Sequence, residues 1–302
     1  MNPDPPVTNA VSAIGNDVSL ARVKSVLITG ASTGIGRAGA LRMDAEGWRV
    51  FAGVRREEDA EDLRGAASER LIPLTLDVTD AEHLAAAAER IGAETGSAGL
   101  DGLVNNAGIA VMAPLETIEL DDLRHQLEVN LISQVAVTQA LLPSIRTARG
   151  RIVFISSIGG RMAMPFGAPY HASKYGIEAV TDCLRQELRP WRIDVAAIEP
   201  GSIATPIWER GEKRADAAAE RAPAAQETLY GKQIESFRGA VRRTAQRGIP
   251  PEKVADAVQH ALTASRPRTR YLVGADARGQ AVLKRLVPDR LMDRIVARAM
   301  GL

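Results

Sequence analysis

Six short apolar runs, set apart by longer stretches of helical periodicity, constrain what this chain can become. The runs lie at 25–29, 48–52, 71–76, 100–104, 151–155 and 193–198. Segments at 35–46, 81–92, 120–142 and 174–188 carry apolar residues at helical spacing between them. Strands alternating with helices favour a parallel sheet covered on both faces. Most of the runs lack polar alternation, as strands buried on both sides do. The expected fold class is therefore α/β: one doubly wound parallel sheet with its binding crevice at the carboxyl ends of the strands.

Composition narrows the function classes. A net charge of +1 over 302 residues gives no electrostatic reason to expect nucleic acid as a partner. No run reaches the roughly 18 apolar residues of a membrane span. The lone Cys183 excludes an intrachain disulfide and reads as a small buried hydrophobe in its helix. His83, His125 and His260 are dispersed, and no metal is expected. The start of the sequence lacks a signal-peptide layout, so a cytoplasmic protein is the default.

The first run leads into Thr29-Gly30-Ala31-Ser32-Thr33-Gly34-Ile35-Gly36. Glycines between a buried strand and a helix start let backbone N–H groups approach a pyrophosphate, and the helix amino end favours its charge. The alternative is a glycine-rich turn that only joins strand to helix. Further motifs follow in order: Leu76-Asp77-Val78, Asn105-Asn106-Ala107-Gly108, Asn130, Ser157, Tyr170 with Lys174, and Pro200-Gly201-Ser202-Ile203-Ala204-Thr205. This ordered set resembles the short-chain dehydrogenase/reductase family, over about residues 24–206. The resemblance implies a Rossmann-type domain and a nicotinamide dinucleotide. Gly30, Ser32, Gly34, Ile35 and Gly36 would hold phosphates, Asp77 and Val78 adenine, and Asn106, Ala107 and Gly108 the nucleoside. The loop of Pro200, Gly201, Ile203 and Thr205 would meet the nicotinamide.

Tyr170 and Lys174 stand four apart, on one face of a helix. A nearby ammonium favours phenolate and is expected to lower the tyrosine pKa toward working pH. Such a tyrosine can exchange a proton with an alcohol or carbonyl while hydride moves. Ser157, thirteen residues upstream, can hydrogen-bond the reacting oxygen. The resemblance gives the same roles, adds the nicotinamide ribose to Lys174, and assigns Asn130 to a proton relay. Each residue has a plainer alternative: a Tyr–Lys surface pair, an Asn satisfying nearby backbone, and Ser156 in place of Ser157. His171 diverges from its neighbour around the helix and reads as a bystander.

The second run ends in Arg55-Arg56, ahead of Glu57, Glu58 and Asp59. Guanidinium forks suit a 2′-phosphate, so Arg55 points to NADP, with Arg37 as a further contributor and NAD as the alternative. Pairing of these arginines with the following acids is the competing reading. The 157–170 segment and the 50–55 run together resemble the branch with 17β-hydroxysteroid and retinol dehydrogenases. That branch implies a lipophilic alcohol or carbonyl substrate, with Met162, Met164 and Phe166 as pocket candidates. Reduction of a 3-oxoacyl compound and a catalytically silent dinucleotide sensor are the other functions left open.

Domain organisation follows from the same pattern. Residues 1–22 read as a flexible arm and 23–277 as the catalytic domain, with a polar stretch at about 205–247 read as a helical lid. Residues 278–302 read as basic amphipathic helices around Pro288. Their apolar face is expected to pack on the domain or a second subunit, a membrane interface being the alternative. The family resemblance implies a homodimer or homotetramer.

Overall fold

A computed structural model describes residues 22–221 and 224–300; the reading of residues 1–21 as an arm lies outside them. The six runs are strands: β1 (Ser25–Ile28), β2 (Arg49–Val54), β3 (Leu71–Thr75), β4 (Gly102–Asn105), β5 (Arg151–Ile155) and β6 (Asp194–Pro200). A seventh, β7 (Arg270–Val273), was not legible. All pair in parallel in the order β3-β2-β1-β4-β5-β6-β7. The order reverses between β1 and β4, the switch point where an open sheet forms a ligand crevice.

Alternate residues of each strand feed opposite cores, as a two-residue side-chain period requires. Val26 and Ile28 face α1 (Gly34–Ala45), α2 (Glu57–Ala66) and the helix at Glu252–Thr263. Leu27 faces the helices on the other side, α3 (Ala81–Thr95), α5 (Ser133–Ala148) and α6 (Ala168–Glu187). The predicted helix at 120–142 is two: α4 (Leu120–Leu127) joins α5 through a π turn at Glu128–Ile132. An extra residue in a turn re-aims side chains, and such turns concentrate at functional sites.

The polar stretch at about 205–247 forms α7 (Ile207–Arg221) and α8 (Ala224–Gln246). With the helix at Glu252–Thr263 designated α9, the carboxyl end follows as α10 (Ala275–Leu286) and α11 (Asp289–Met300), flanking Pro288 as read. Among the described residues no helix is long and apolar enough to cross a membrane. Cys183 corrects the sequence reading: it is exposed. The buried face of α6 runs through Ile177, Glu178 and Thr181, which leaves position 183 turned outward.

Candidate active site

The turn after β1 is shaped by close backbone approach. A side chain at Gly36 would collide with the Gly30 carbonyl and the Asn106 amide. Gly34 has φ +57°, and a Cβ there would lie 3.0 Å from the Thr205 side chain. Asn106 donates from its amide to the carbonyls of Thr29 at 2.8 Å and Gly30 at 3.0 Å. The backbone N–H groups of Asn106 and Ala107 donate to the Thr29 hydroxyl at 2.9 and 3.0 Å. The end of β4 thus clamps the glycine turn. Thr33 makes no side-chain cap on α1, and no acid stands in that helix's first turn. Its amide groups remain available to an anion.

Ser157 follows β5 by two residues and caps a short turn, its hydroxyl accepting from the Gly159 N–H at 3.0 Å. Ser156, its rival, is buried, and its hydroxyl has no hydrogen-bond partner among the described residues. Tyr170 and Lys174 share one face of α6, with the lysine Nζ 5.8 Å from the centroid of the tyrosine ring. The Lys174 ammonium donates to the Ile155 carbonyl at 2.8 Å. Burial pushes Lys174 down to about 8, against the pull of Glu178 one turn on. The expected lowering of Tyr170 is not found in this state. Burial holds its hydroxyl above the ordinary phenol range, and Ser157 beside it pulls the other way. A charge that is itself desolvated and directed at a carbonyl cannot offset the phenol's own burial.

Asn130 sits in the π turn, fully buried. Its amide accepts from the Ile109 N–H at 2.8 Å and donates to the Ile109 carbonyl at 3.0 Å and the Ser173 hydroxyl at 3.2 Å. Ser173 in turn donates to the Tyr170 carbonyl at 2.7 Å. The residue therefore ties the segment after β4 to the helix that carries Tyr170.

His171 is not the bystander its helical position suggested. It is buried, with Nδ1 donating to the Gly159 carbonyl at 2.8 Å and Nε2 accepting from the Met164 N–H at 3.1 Å. Those two bonds require the neutral ring, and burial lowers its pKa accordingly. The imidazole staples both ends of the loop that starts at Ser157. A lone histidine inside a motif carries no such signal in sequence, because the bonded groups are backbone.

An ion network around one buried carboxylate was also missed by sequence reasoning. Glu199, fully buried at the end of β6, pairs with Arg161 at 2.7 Å and Arg270 at 3.1 Å. Arg270 also pairs with Glu178 at 2.9 Å. Burial and Glu178 raise Glu199, while Arg161 and Arg270 oppose them.

This geometry coincides with matches to known proteins. The family model for short chain dehydrogenase matches residues 24–216. The chain belongs to the short-chain dehydrogenase family. It is 40% identical over 290 residues to 17-beta-hydroxysteroid dehydrogenase type 6 of Bos taurus, covering 93% of this chain and 90% of that protein. It is 40% identical over 280 residues to retinol dehydrogenase 16 of Homo sapiens, covering 91% and 88%. Among solved structures, a short chain dehydrogenase from Burkholderia cenocepacia in complex with NADP superposes with a TM-score of 0.69. That pair shares 26% identity over 90% of this chain and 97% of the other.

The crevice fits a nicotinamide dinucleotide. Its glycine turn has no room for side chains, and the α1 terminus carries neither side-chain cap nor acid. Beyond β3, Asp77 is held below its ordinary value: burial opposes this, but Thr79 donates to it twice and the charges of Arg55 and His83 add to the effect. Val78 is buried beside it. On the far side, Ile203 is buried, its carbonyl accepting from Trp208 Nε1 at 2.7 Å, while the Gly201 N–H donates to Val273 at 2.9 Å. The loop from Pro200 to Thr205 is thereby anchored with Thr205 against Gly34.

The basic residues near β2 divide. Arg37 is held by Asp62 at 3.0 Å, and Arg56 forks onto Asp59 at 3.0 Å. Neither is free for a phosphate as Arg37 was expected to be. Arg55 has no ion pair among the described residues.

A cavity of about 250 Å³ lies between the 112–122 segment, Phe166 and the lid helices. Met112, Ile118, Phe166, Ile234 and Phe237 give it an apolar wall. Of the three pocket candidates only Phe166 lines it; Met162 is buried in packing. Phe166 adopts a left-handed backbone, φ 61°, unusual for a bulky residue. It is fixed there by the Ala113 N–H donating to its carbonyl at 2.8 Å and by edge contacts with Phe237 and Tyr230.

Proposed function

We propose that this protein is an NADP(H)-dependent dehydrogenase that interconverts an alcohol and the matching ketone or aldehyde on a lipophilic, steroid- or retinoid-like molecule. The observation carrying the chemistry is the convergence of Ser157, Tyr170 and Lys174 beside a glycine cradle built for a dinucleotide. The bound dinucleotide supplies the hydride donor or acceptor. The Tyr170 hydroxyl exchanges the proton with the substrate oxygen, and Ser157 orients that oxygen by a hydrogen bond. Lys174 holds the nicotinamide ribose. Asn130 keeps the 109 segment and α6 in register around them. Gly30, Ser32, Gly34, Ile35 and Gly36 receive phosphates; Asp77, Val78, Asn106, Ala107 and Gly108 flank the adenosine half.

Two relatives at 40% identity are named for steroid and retinol dehydrogenation, and the apolar cavity supports a substrate of that character. The NADP assignment draws support from the unpaired Arg55 and from the NADP complex of the Burkholderia relative. The ratio of kcat/KM for NADPH over NADH tests it, and an NAD preference overturns it. A panel of hydroxysteroids, retinol, aliphatic alcohols and 3-oxoacyl compounds tests the substrate. Activity confined to acyl compounds or sugars overturns the lipophilic reading.

The proposal treats residues 23–277 as the catalytic unit with a lid at 205–247, and residues 278–302 as appended helices, in a cytoplasmic homo-oligomer. What supports the last point is the exposed apolar row of Val282, Leu286, Leu291 and Ile295, a face for a second copy to cover. Sedimentation of the full chain tests it.

A further inference from the structure

We propose that Glu199 is a positioning residue for the reaction. Through Arg161 and Arg270 its buried carboxylate fixes the turn that begins at Ser157 against the helix that carries Tyr170 and Lys174. The inference rests on the dehydrogenase reading above and gives a task to charges that the reading leaves unused.

The contacts close a ring. Ser157 caps the turn at Ile158–Gly160, and Arg161 follows it, its N–H donating to the Ile158 carbonyl at 2.9 Å. The Arg161 guanidinium donates to Glu199 at 2.7 Å. Arg270, on β7 beside β6, has its Nε 3.1 Å from the same Glu199 oxygen and donates from it to Glu178 at 2.9 Å. Its Nη1 donates to Asp182, one turn further along α6, at 2.9 Å. Glu178 lies one turn beyond Lys174. The Lys174 ammonium returns to β5 at the Ile155 carbonyl, two residues before Ser157.

Inside that ring the turn and the helix meet closely. A Cβ on Gly160 would lie 3.0 Å from the Lys174 carbonyl and 3.0 Å from the Glu178 side chain. Glycines at 159 and 160 leave this part of the turn no side chain to wedge against α6. His171 holds the Gly159 carbonyl at 2.8 Å from within α6, and Glu199 holds the far end of the turn through Arg161. Glu199 is fully buried, and a buried ion pair returns little net stability over well-packed apolar side chains. It does return geometry, because one carboxylate oxygen facing two guanidinium groups satisfies both in few arrangements. A misplacement of about 1 Å near the chemistry can cost roughly 10²-fold in rate. A brace that keeps Ser157 in reach of the substrate oxygen therefore acts on turnover more than on dinucleotide affinity.

Kinetics with the panel of alcohols and carbonyls above, dinucleotide calorimetry and hydrogen exchange test the brace on the full chain. Glu199→Gln keeps the shape and an oxygen for both guanidinium groups but removes the charge. Arg161 is partly exposed, so Arg161→Met breaks the link without opening the core. Each should lower kcat by about tenfold or more, with the dinucleotide Kd held within about twofold. Amide exchange at residues 158–162 should quicken in both variants, and exchange in β4 should not. Arg161→Lys should recover part of kcat. Arg270→Lys, which keeps the charge but not the fork, should lower it. Because both variants break one link, Arg161→Met should add little in the Glu199→Gln background. Wild-type kcat in Arg161→Met with only a lowered melting temperature overturns the proposal, and so does full additivity of the two substitutions. If the wild-type protein turns over no compound of the panel, the dehydrogenase reading falls and takes the proposal with it.

Discussion

Lys174 donates its ammonium to the carbonyl oxygen of Ile155 at 2.8 Å, so the end of β5 and the helix carrying Tyr170 are joined by the charge that the chemistry needs. The same bond fixes the amine in a buried place, which lowers its pKa to about 8.

Cofactor affinity should therefore depend on pH. Below about pH 8 Lys174 is charged and can hold the ribose; above it the charge is lost. The Kd for the dinucleotide should rise on going from pH 7 to pH 9, and Lys174→Met should remove that limb while weakening binding throughout. Glu178→Gln removes a carboxylate that favours the ammonium and should move the limb to lower pH. Fluorescence titration across this range checks both outcomes.

Tyr170→Phe removes the proton exchanged with the substrate oxygen and leaves the cradle untouched. Turnover should fall by about 10²- to 10⁴-fold, as loss of a general acid–base does. Dinucleotide affinity, read by calorimetry, should change little. Retained turnover would show that the proton travels elsewhere.

His171 should make the fold sensitive to acid. Its pKa is lowered by burial, so the native protein resists the proton that the unfolded chain accepts. Stability present above about pH 6.5 is lost as pH falls below it. Melting curves at pH 7.5 and pH 5.5 should show this slope, and His171→Asn should flatten it. His171→Gln, which retains a donor and an acceptor, should keep more turnover than His171→Phe. Equal kcat in the two variants would reduce the staple to packing.

Asn106→Ala should loosen the glycine turn. It deletes two donors to the Thr29 and Gly30 carbonyls, at a cost of about 1–3 kcal/mol if they are left unpaired. Dinucleotide binding and the melting temperature should fall together, and kcat at saturating cofactor should be less affected.

Phe166→Ala tests the substrate wall. Removing a ring that lines the cavity should raise KM for a lipophilic alcohol by about tenfold or more. KM for a small aliphatic alcohol should stay near its original value.

Much of the site was legible because its signals are local. Buried strands show as uninterrupted apolar runs, the glycine turn as a spacing, and Tyr170 with Lys174 as one helical turn. What was hidden depends on distant chain. The strand β7 is four residues at the sheet edge and carries Arg270 and Tyr271, so it does not read as a buried run. The π turn at Asn130 is set by bonds to Ile109 and Ser173. His171 acts on backbone groups, which have no sequence signature. Which of Arg37, Arg55 and Arg56 carries a carboxylate partner depends on where Asp62 and Asp59 fall in space, and Asp62 lies 25 residues from the arginine it holds.

The lid helix α7 has one side over the cofactor crevice and another, through Ala215, Ala218 and Arg221, against the apolar cavity. A single rigid rod roofing two chambers makes their traffic interdependent. A displacement of that helix at one space changes the wall of the other.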